Sequence, residues 1–409
     1  MRVLFLHQNF PGQFRHVASA LQQQPGNQLL ALVPAGHTGP KIIRTREYPF
    51  DPRQARTNFP LAGRYTDRVA RGAAAVAVMR KLRAEGFAPD LVIGHCGWGE
   101  TLFVRDVWPD CRILLHAEFF YRAQDSDVDF DPEFPPPDVE SLRLEMRTRN
   151  STTIIGLLDA DRGITPTAWQ ASLFPEKLRT NITVLHEGID TDVIRPSPAA
   201  SVALDASGLE LRPGDEVVTF VNRDLEQYRG YHIFMRALPR ILERRPKARA
   251  IIVGGNGVSY GAAAPAGKSW REIFFHEVRD RLDTRRVHFV GRVPHQTLLG
   301  LMQVSAAHVY LTYPFVLSWS MLEAMSAGAL VVGSRTPPVE EIITHGTNGI
   351  LCDFFDVNGV ADAVIDALTD QARYQPLRDA ARRSVVERYD LKGVCLPAWL
   401  ALCQEIVRV

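Results

Sequence analysis

Val217-Val218-Thr219-Phe220-Val221-Asn222-Arg223-Asp224-Leu225-Glu226-Gln227-Tyr228-Arg229-Gly230-Tyr231 reads as an apolar strand, a charged turn, and a glycine that opens a helix. The apolar run lacks polar alternation, the pattern of a strand buried on both faces in a parallel sheet. Similar runs follow at Ala250-Ile251-Ile252-Val253, Val287-His288-Phe289-Val290, Ala307-His308-Val309-Tyr310-Leu311, Ala329-Leu330-Val331-Val332 and Gly349-Ile350-Leu351, each succeeded by a helical segment. Working back toward the N-terminus, a first series runs through Arg2–Leu6, Leu29–Val33, Asp90–Gly94, Arg112–Leu115, Gly163–Thr165 and Ile182–Leu185, with helical segments such as Gly12–Gln22 and Arg68–Ala84 between them. Between the series, Asp192–Asp215 carries Pro196, Pro198 and Pro213 and little periodicity. These features predict two open α/β sheets in tandem, with domains at 1–195 and 196–385 and a final helical segment at 386–409. Ligands of open α/β sheets bind beyond the carboxyl ends of the strands at the topological switch point, so an interdomain cleft is the expected site.

The chain of 409 residues exceeds the roughly 250–300 at which one core stops growing, which agrees with two domains. Hydrophobic residues at 46% and charged residues at 23% are globular values and exclude a largely disordered or fibrous chain. The five cysteines form no CxxC pair and no zinc-ligand spacing, which predicts reduced thiols, a cytoplasmic setting and no metal site. The first apolar run stops at His7, too soon for a signal peptide, and no apolar stretch is long enough to span a membrane. Net charge is +1, and no nucleic-acid partner is expected. Segment 41–83 nevertheless holds eleven Lys or Arg against three acids. It reads either as a solvated face or as a contact for an anionic acceptor or the inner membrane surface.

The turn after the first strand, His7-Gln8-Asn9-Phe10-Pro11-Gly12, lacks the glycine fingerprint of a dinucleotide site, which disfavours a dehydrogenase. Gly12 opens a helix whose free amides suit an anion, or it serves as a tight turn. Gly267-Lys268-Ser269 misses the P-loop spacing and reads as a surface excursion. Arg223 and Arg229 offer bidentate contacts to a diphosphate. Spacing alone equally allows them to pair with Asp224 and Glu226 on a solvated loop. Ser318-Trp319-Ser320 begins a helix whose amides suit a second phosphate face, and Glu323, one turn inside, can accept ribose hydroxyls or remain a surface acid.

Taken together, His186-Glu187-Gly188-Ile189-Asp190, the 223–230 segment, Leu322-Glu323-Ala324-Met325, Val339-Glu340-Glu341-Ile342-Ile343 and Asn348-Gly349-Ile350-Leu351 resemble glycosyltransferase family 4, retaining enzymes of the GT-B fold. The resemblance implies two Rossmann-like domains and a C-terminal helix crossing back to the N-terminal domain. It matches Arg223 and Arg229 to the basic pair on the donor diphosphate, although the family spacing is one residue shorter. Arg292 and Val293 match the segment at the nucleotide base, Ser318, Trp319 and Ser320 the phosphate-binding turn, and Glu323 the ribose binder. His116 then lies near the transferred sugar, with His95 and Trp98 on the acceptor side. Phe315 stands where the family carries a sugar-binding glutamate, implying a sugar pocket less dependent on hydroxyls.

The resulting expectation is a metal-independent retaining transferase using a nucleotide diphosphate sugar and no cofactor, with a glycan, lipid-linked or small-molecule acceptor. Catalysis would rest on His116, Arg223 and Arg229. The alternatives are a non-catalytic nucleotide-sugar-binding subunit and another GT-B enzyme, such as an epimerase or an inverting transferase.

Overall fold

The computed structural model describes residues 1–55, 57–204 and 208–408. They form two units, Met1–Gly188 with Leu391–Val409, and Ile189–Asp390. The break after Gly188 comes earlier than the 195/196 boundary read from composition. The reason is pairing: Ile189 N–H bonds to the Tyr389 carbonyl, and Ile194 is buried in the core of the second unit. The second break follows Asp390 rather than residue 385, because the helix Gln375–Tyr389 runs unbroken through that point.

The first unit holds a seven-stranded sheet of β1 (Arg2–Leu6), β2 (Gln28–Pro34), β3 (Arg44–Tyr48), β4 (Leu91–His95), β5 (Arg112–His116), β6 (Arg162–Thr165) and β7 (Ile182–Val184), in the order β3-β2-β1-β4-β5-β6-β7. All its pairings are parallel. Strand β3 was not anticipated. As an edge strand it buries only Tyr48, and its remaining residues, Arg44 to Glu47, are polar, so it lacks the apolar run that marks its neighbours.

In the second unit a short antiparallel pair, β8 (Val202–Leu204) and β9 (Leu209–Leu211), occupies the segment expected to be a linker. Val202, Leu204 and Leu211 pack into a core cluster with Val217 and Ile251. The main sheet comprises β10 (Val217–Asp224), β11 (Arg249–Gly255), β12 (Val287–Gly291), β13 (Ala307–Tyr310), β14 (Val331–Ser334) and β15 (Ile350–Cys352), ordered β12-β11-β10-β13-β14-β15 and parallel throughout. Both units are therefore Rossmann-like, with the strand order reversing beside β1 and β10. Strand β10 runs further than its apolar core, with a register shift against β11 between Val221 and Asp224.

The helix Leu396–Arg408 belongs to the first unit. Trp399, Leu402, Cys403 and Ile406 are buried in one cluster with Val3, Phe5, Phe14 and Val17. The Trp399 indole N–H donates to the His186 carbonyl at 3.1 Å, satisfying its polar atom inside the core.

Segment 41–83 is not a uniformly solvated basic face. Within the helix Gly63–Ala84, the Arg68 guanidinium turns inward to the Arg149 carbonyl and the Thr152 hydroxyl. Burial lowers the Arg68 pKa. Arg71 lies 4.2 Å over the Phe50 ring and 4.0 Å from the Glu100 carboxylate. These two cations serve the fold.

Truncating Trp399 to alanine removes a large buried ring and a hydrogen bond. We expect a loss of about 3–5 kcal/mol, read as a lower denaturant midpoint.

Candidate active site

In the second unit the switch point lies between β10 and β13. After β10 the chain makes a tight turn, Gln227–Arg229, and Gly230 adopts φ +66° before the helix Tyr231–Arg244. A Cβ at Gly230 would collide with Leu311, so glycine alone fits the turn that positions Arg229. Arg229 is only 4% exposed. It donates to the Thr312 hydroxyl at 2.7 Å and to the Tyr310 hydroxyl at 3.4 Å, both just beyond or at the end of β13. The Tyr310 oxygen in turn accepts the Ser318 N–H at 2.8 Å. Arg229 is thereby tied to the mouth of the helix Trp319–Ala327, which Ser318 caps. Tyr260 and Phe315 cover the guanidinium at 5.0 and 5.8 Å.

Arg223 is not part of that cluster, its side chain being exposed. Its carbonyl instead accepts from Arg292, whose guanidinium pairs with Asp224 at 2.7 Å. Asp224 also accepts from the Ser259 hydroxyl and the Gly257 amide. Burial would raise its pKa, but Ser259 and Arg292 hold it below the usual carboxylate value. Glu226 accepts the amides of Ser259, Tyr260 and Gly261. Burial pushes its pKa up against those amides. Two acids that the sequence offered as partners for Arg223 and Arg229 thus anchor the loop carrying Tyr260.

The remaining donor-side residues divide. Val293 packs its side chain against the cluster around Val202 and Val217. Ser318 and Ser320 hydroxyls bond each other at 3.0 Å, and Trp319 is exposed. Glu323 places Oε1 at 2.8 Å from His295 Nε2. Phe315 is packed against Tyr228 and Tyr260 at 5.6 and 5.0 Å rather than open to solvent. Tyr260 lies against Phe315, the residue expected to line a sugar pocket less dependent on hydroxyls.

In the first unit, histidines stand at the carboxyl ends of the strands: His7 after β1, His95 on β4, His116 on β5 and His186 beyond β7. His95 and His116 are register partners with rings stacked at 5.4 Å. His7 and Trp98 flank His95 at 5.8 and 5.2 Å. His116 Nε2 meets Glu187 Oε1 at 2.9 Å, and both are buried. Glu118 accepts from Gln13 at 3.0 Å and approaches His95 at 3.6 Å. Burial alone would raise the Glu118 pKa, and His95, His116 and Gln13 more than reverse it, holding it at about 2. Desolvation lowers the pKa of His7 to about 3 and lowers those of His95 and His186, so these rings are neutral near pH 7. Gly12 has φ +45°, and a Cβ there would lie 2.7 Å from the His7 ring. Its observed role is close approach to His7.

Sequence reasoning missed Glu118, Gln13, His295, Tyr260, Tyr310 and Thr312. It also missed the repeat of a histidine closing four apolar strand runs, a pattern legible at His7, His95, His116 and His186. Among the described residues, no group of three or more His, Cys, Asp or Glu side chains is arranged to hold a metal ion.

Residues 25–194 match the family described as Glycosyl transferase family 4 group, and residues 205–384 that described as Glycosyl transferases group 1. The chain belongs to glycosyltransferase family 4. It is 28% identical over 213 residues to a glycogen synthase of Mycobacterium tuberculosis, covering 52% of this chain and 46% of that relative. It is 26% identical over 201 residues to a D-inositol 3-phosphate glycosyltransferase of Corynebacterium aurimucosum, covering 49% and 46%. The chain therefore spans about half the length of the curated relatives it matches. Its fold resembles that of HepE from Anabaena solved in complex with UDP, with TM-score 0.71 and 16% identity over 99% of this chain and 100% of that one. The family member described here thus has the GT-B architecture of two Rossmann-like domains.

Unfolded histidine takes up a proton near pH 6.5, whereas folded His7 does so only at about 3 and His308 at about 4. Between those values the unfolded chain binds more protons, so stability falls as pH drops below about 6.5. Each such histidine contributes up to about 1.4 kcal/mol per pH unit. Denaturant midpoints at about pH 7.5 and about pH 5 should show the loss.

Proposed function

We propose that the chain is a metal-independent, retaining glycosyltransferase that moves a sugar from a nucleotide diphosphate sugar to a glycan, lipid-linked or small-molecule acceptor. The observation that carries this reading is Arg229: a buried guanidinium joined through Tyr310 to the amide mouth of a capped helix. Fixed positive charge and helix amides together make an anion site. A leaving diphosphate gains negative charge as the glycosidic bond breaks, and preorganised donors aimed at that charge lower the barrier. Arg292, paired with Asp224 and largely exposed, is the second guanidinium at this end of the sheet, the position first assigned to Arg223. Glu323 receives ribose hydroxyls once His295 releases it. In a retaining reaction the acceptor attacks from the face the diphosphate leaves, and a phosphate oxygen takes its proton. His116, oriented by Glu187, serves the transferred sugar in the first unit. A cytoplasmic setting fits the five free cysteines among the described residues.

The complexes of HepE with UDP and with UDP-glucose support a nucleotide-sugar donor. A second reading, a nucleotide-sugar-binding subunit without turnover, is favoured by one observation. Phe315 stands where the family carries a sugar-binding glutamate, and it is covered by Tyr260.

Thermal-shift titration with UDP, GDP, ADP and dTDP should single out one diphosphate, which at 100 times its Kd adds about 2.7 kcal/mol of stability. With the matching sugar nucleotide, Arg229→Ala should lower turnover about 100-fold. EDTA should leave the wild-type rate unchanged, and strict dependence on added divalent ion would overturn the metal-independent mechanism. Phe315→Glu places a carboxylate beside Arg229 and should change the donor profile. An unaltered profile would remove Phe315 from sugar selection.

A further inference from the structure

Hydrogen bonds fix Arg229 along one edge only. Both leave from Nη1, to Thr312 and to Tyr310, and among the described residues Nε and Nη2 have no hydrogen-bond partner. Tyr260 and Phe315 lie against the guanidinium at 5.0 and 5.8 Å and pack on each other at 5.0 Å. Phe315 is buried, so the core sets its place, whereas Tyr260 is 37% exposed and stands on a loop without regular structure. Two carboxylates hold that loop. Glu226, with no exposed surface, accepts the successive amides of Ser259, Tyr260 and Gly261 at 3.3, 3.1 and 3.1 Å. Asp224 accepts the Gly257 amide at 3.1 Å and the Ser259 hydroxyl at 2.6 Å. Successive amides converging on one anion form a backbone nest, here filled from within the chain. Glycine permits the close approach: a Cβ at Gly261 would stand 3.1 Å from the side chains of Gln227 and Tyr228.

We propose that Glu226 is a positioning residue for donor binding: seated in the amide nest of residues 259–261, it holds the Tyr260 ring against Arg229, so that the guanidinium meets a diphosphate through Nε and Nη2. The inference rests on the glycosyltransferase reading for what the anion is. An aromatic ring beside a planar cation excludes water from it, and a charge less screened by water attracts an anion more strongly. The ring also restrains rotation of the guanidinium plane, which keeps the free edge aimed for paired hydrogen bonds to phosphate oxygens. Glu226 touches no ligand in this scheme. Its carboxylate acts through the loop, and the part of Tyr260 that matters is the ring rather than the hydroxyl.

The test is calorimetric titration of the full chain with the nucleoside diphosphate selected by thermal shift, together with amide hydrogen exchange. Glu226→Gln sets an NH2 group among the three amides, and exchange at residues 259–261 should quicken. Tyr260→Ala should weaken the diphosphate about tenfold, and Tyr260→Phe, which keeps the ring, less than about twofold. Glu226→Gln should weaken it about fivefold, and the double variant should bind within about twofold of Tyr260→Ala alone, because both changes act through one ring. In an Arg229→Ala background, Tyr260→Ala should alter affinity less than about twofold. Should Glu226→Gln fail to fold, Glu226→Asp, which keeps the charge but loses reach, takes its place. A merely structural Glu226 would lower the denaturant midpoint and leave nucleotide affinity alone, and that result overturns the proposal. So do a double variant as weak as the product of the two single effects, a loss in Tyr260→Phe equal to that in Tyr260→Ala, or unchanged exchange in the Glu226 variant. A wild-type chain that binds no nucleoside diphosphate sinks the glycosyltransferase reading and this proposal with it, whereas binding that Tyr260→Ala leaves intact sinks this proposal alone.

Discussion

A guanidinium removed from water is tolerated only where hydrogen bonds and a neighbouring anion answer it. Arg229 is such a group, and much of the local structure of the second unit follows from it. Gly230 supplies the left-handed turn that places it beneath Leu311. Thr312 and Tyr310, at the end of β13, receive its protons, and Tyr310 couples them to the first amide of the next helix. Glu226 contributes negative charge from the same turn while holding three successive amides of the loop that roofs the site. On the proposed reading, a leaving diphosphate would add a further anion beside this guanidinium and the capped helix mouth.

The first unit solves a different problem with the same architecture. A parallel sheet buries its strands on both faces, so polar chemistry is confined to the strand ends. Each of four strand ends carries a histidine, and three of those rings accept the amide two residues ahead, His186 from Gly188 as His7 and His95 do from Asn9 and Gly97. That contact makes Nδ1 the acceptor in each of these rings. Burial holds His7, His95 and His186 below the usual imidazole pKa, while Glu118 and Glu187 are held below the usual carboxylate value. The second unit offers cations and amides at the equivalent end of its sheet. The two sheets thus share a topology and differ in the chemistry displayed at the strand ends.

Most strands were legible because burial on both faces leaves an unmistakable apolar run, as in Val3 to Leu6 or Val217 to Val221. Where burial is partial the signal fails. Strand β3 hid behind Arg44, Arg46 and Glu47, and the β8–β9 pair hid in a proline-bearing stretch that composition marked as a linker. Arg229, Ser318, Glu323, His95 and His116 could be picked out by residue type and position after a strand. Their partners could not: Tyr310 lies 81 residues from Arg229, Glu118 lies 105 from Gln13, and His295 lies 28 from Glu323.

By itself, the sequence determined the class of fold, two successive Rossmann-like series, and the residue types waiting at the strand ends. Hydrophobic periodicity and glycine placement are local properties that survive without coordinates. The tertiary structure decided which charges answer which. It made Asp224 and Glu226 anchors of a loop as well as neighbours of the turn arginines, gave Arg292 to Asp224, left Arg223 in solvent and closed Tyr260 over Phe315. Pairing energies depend on distance and desolvation, and both are set only when strands far apart in sequence are brought side by side.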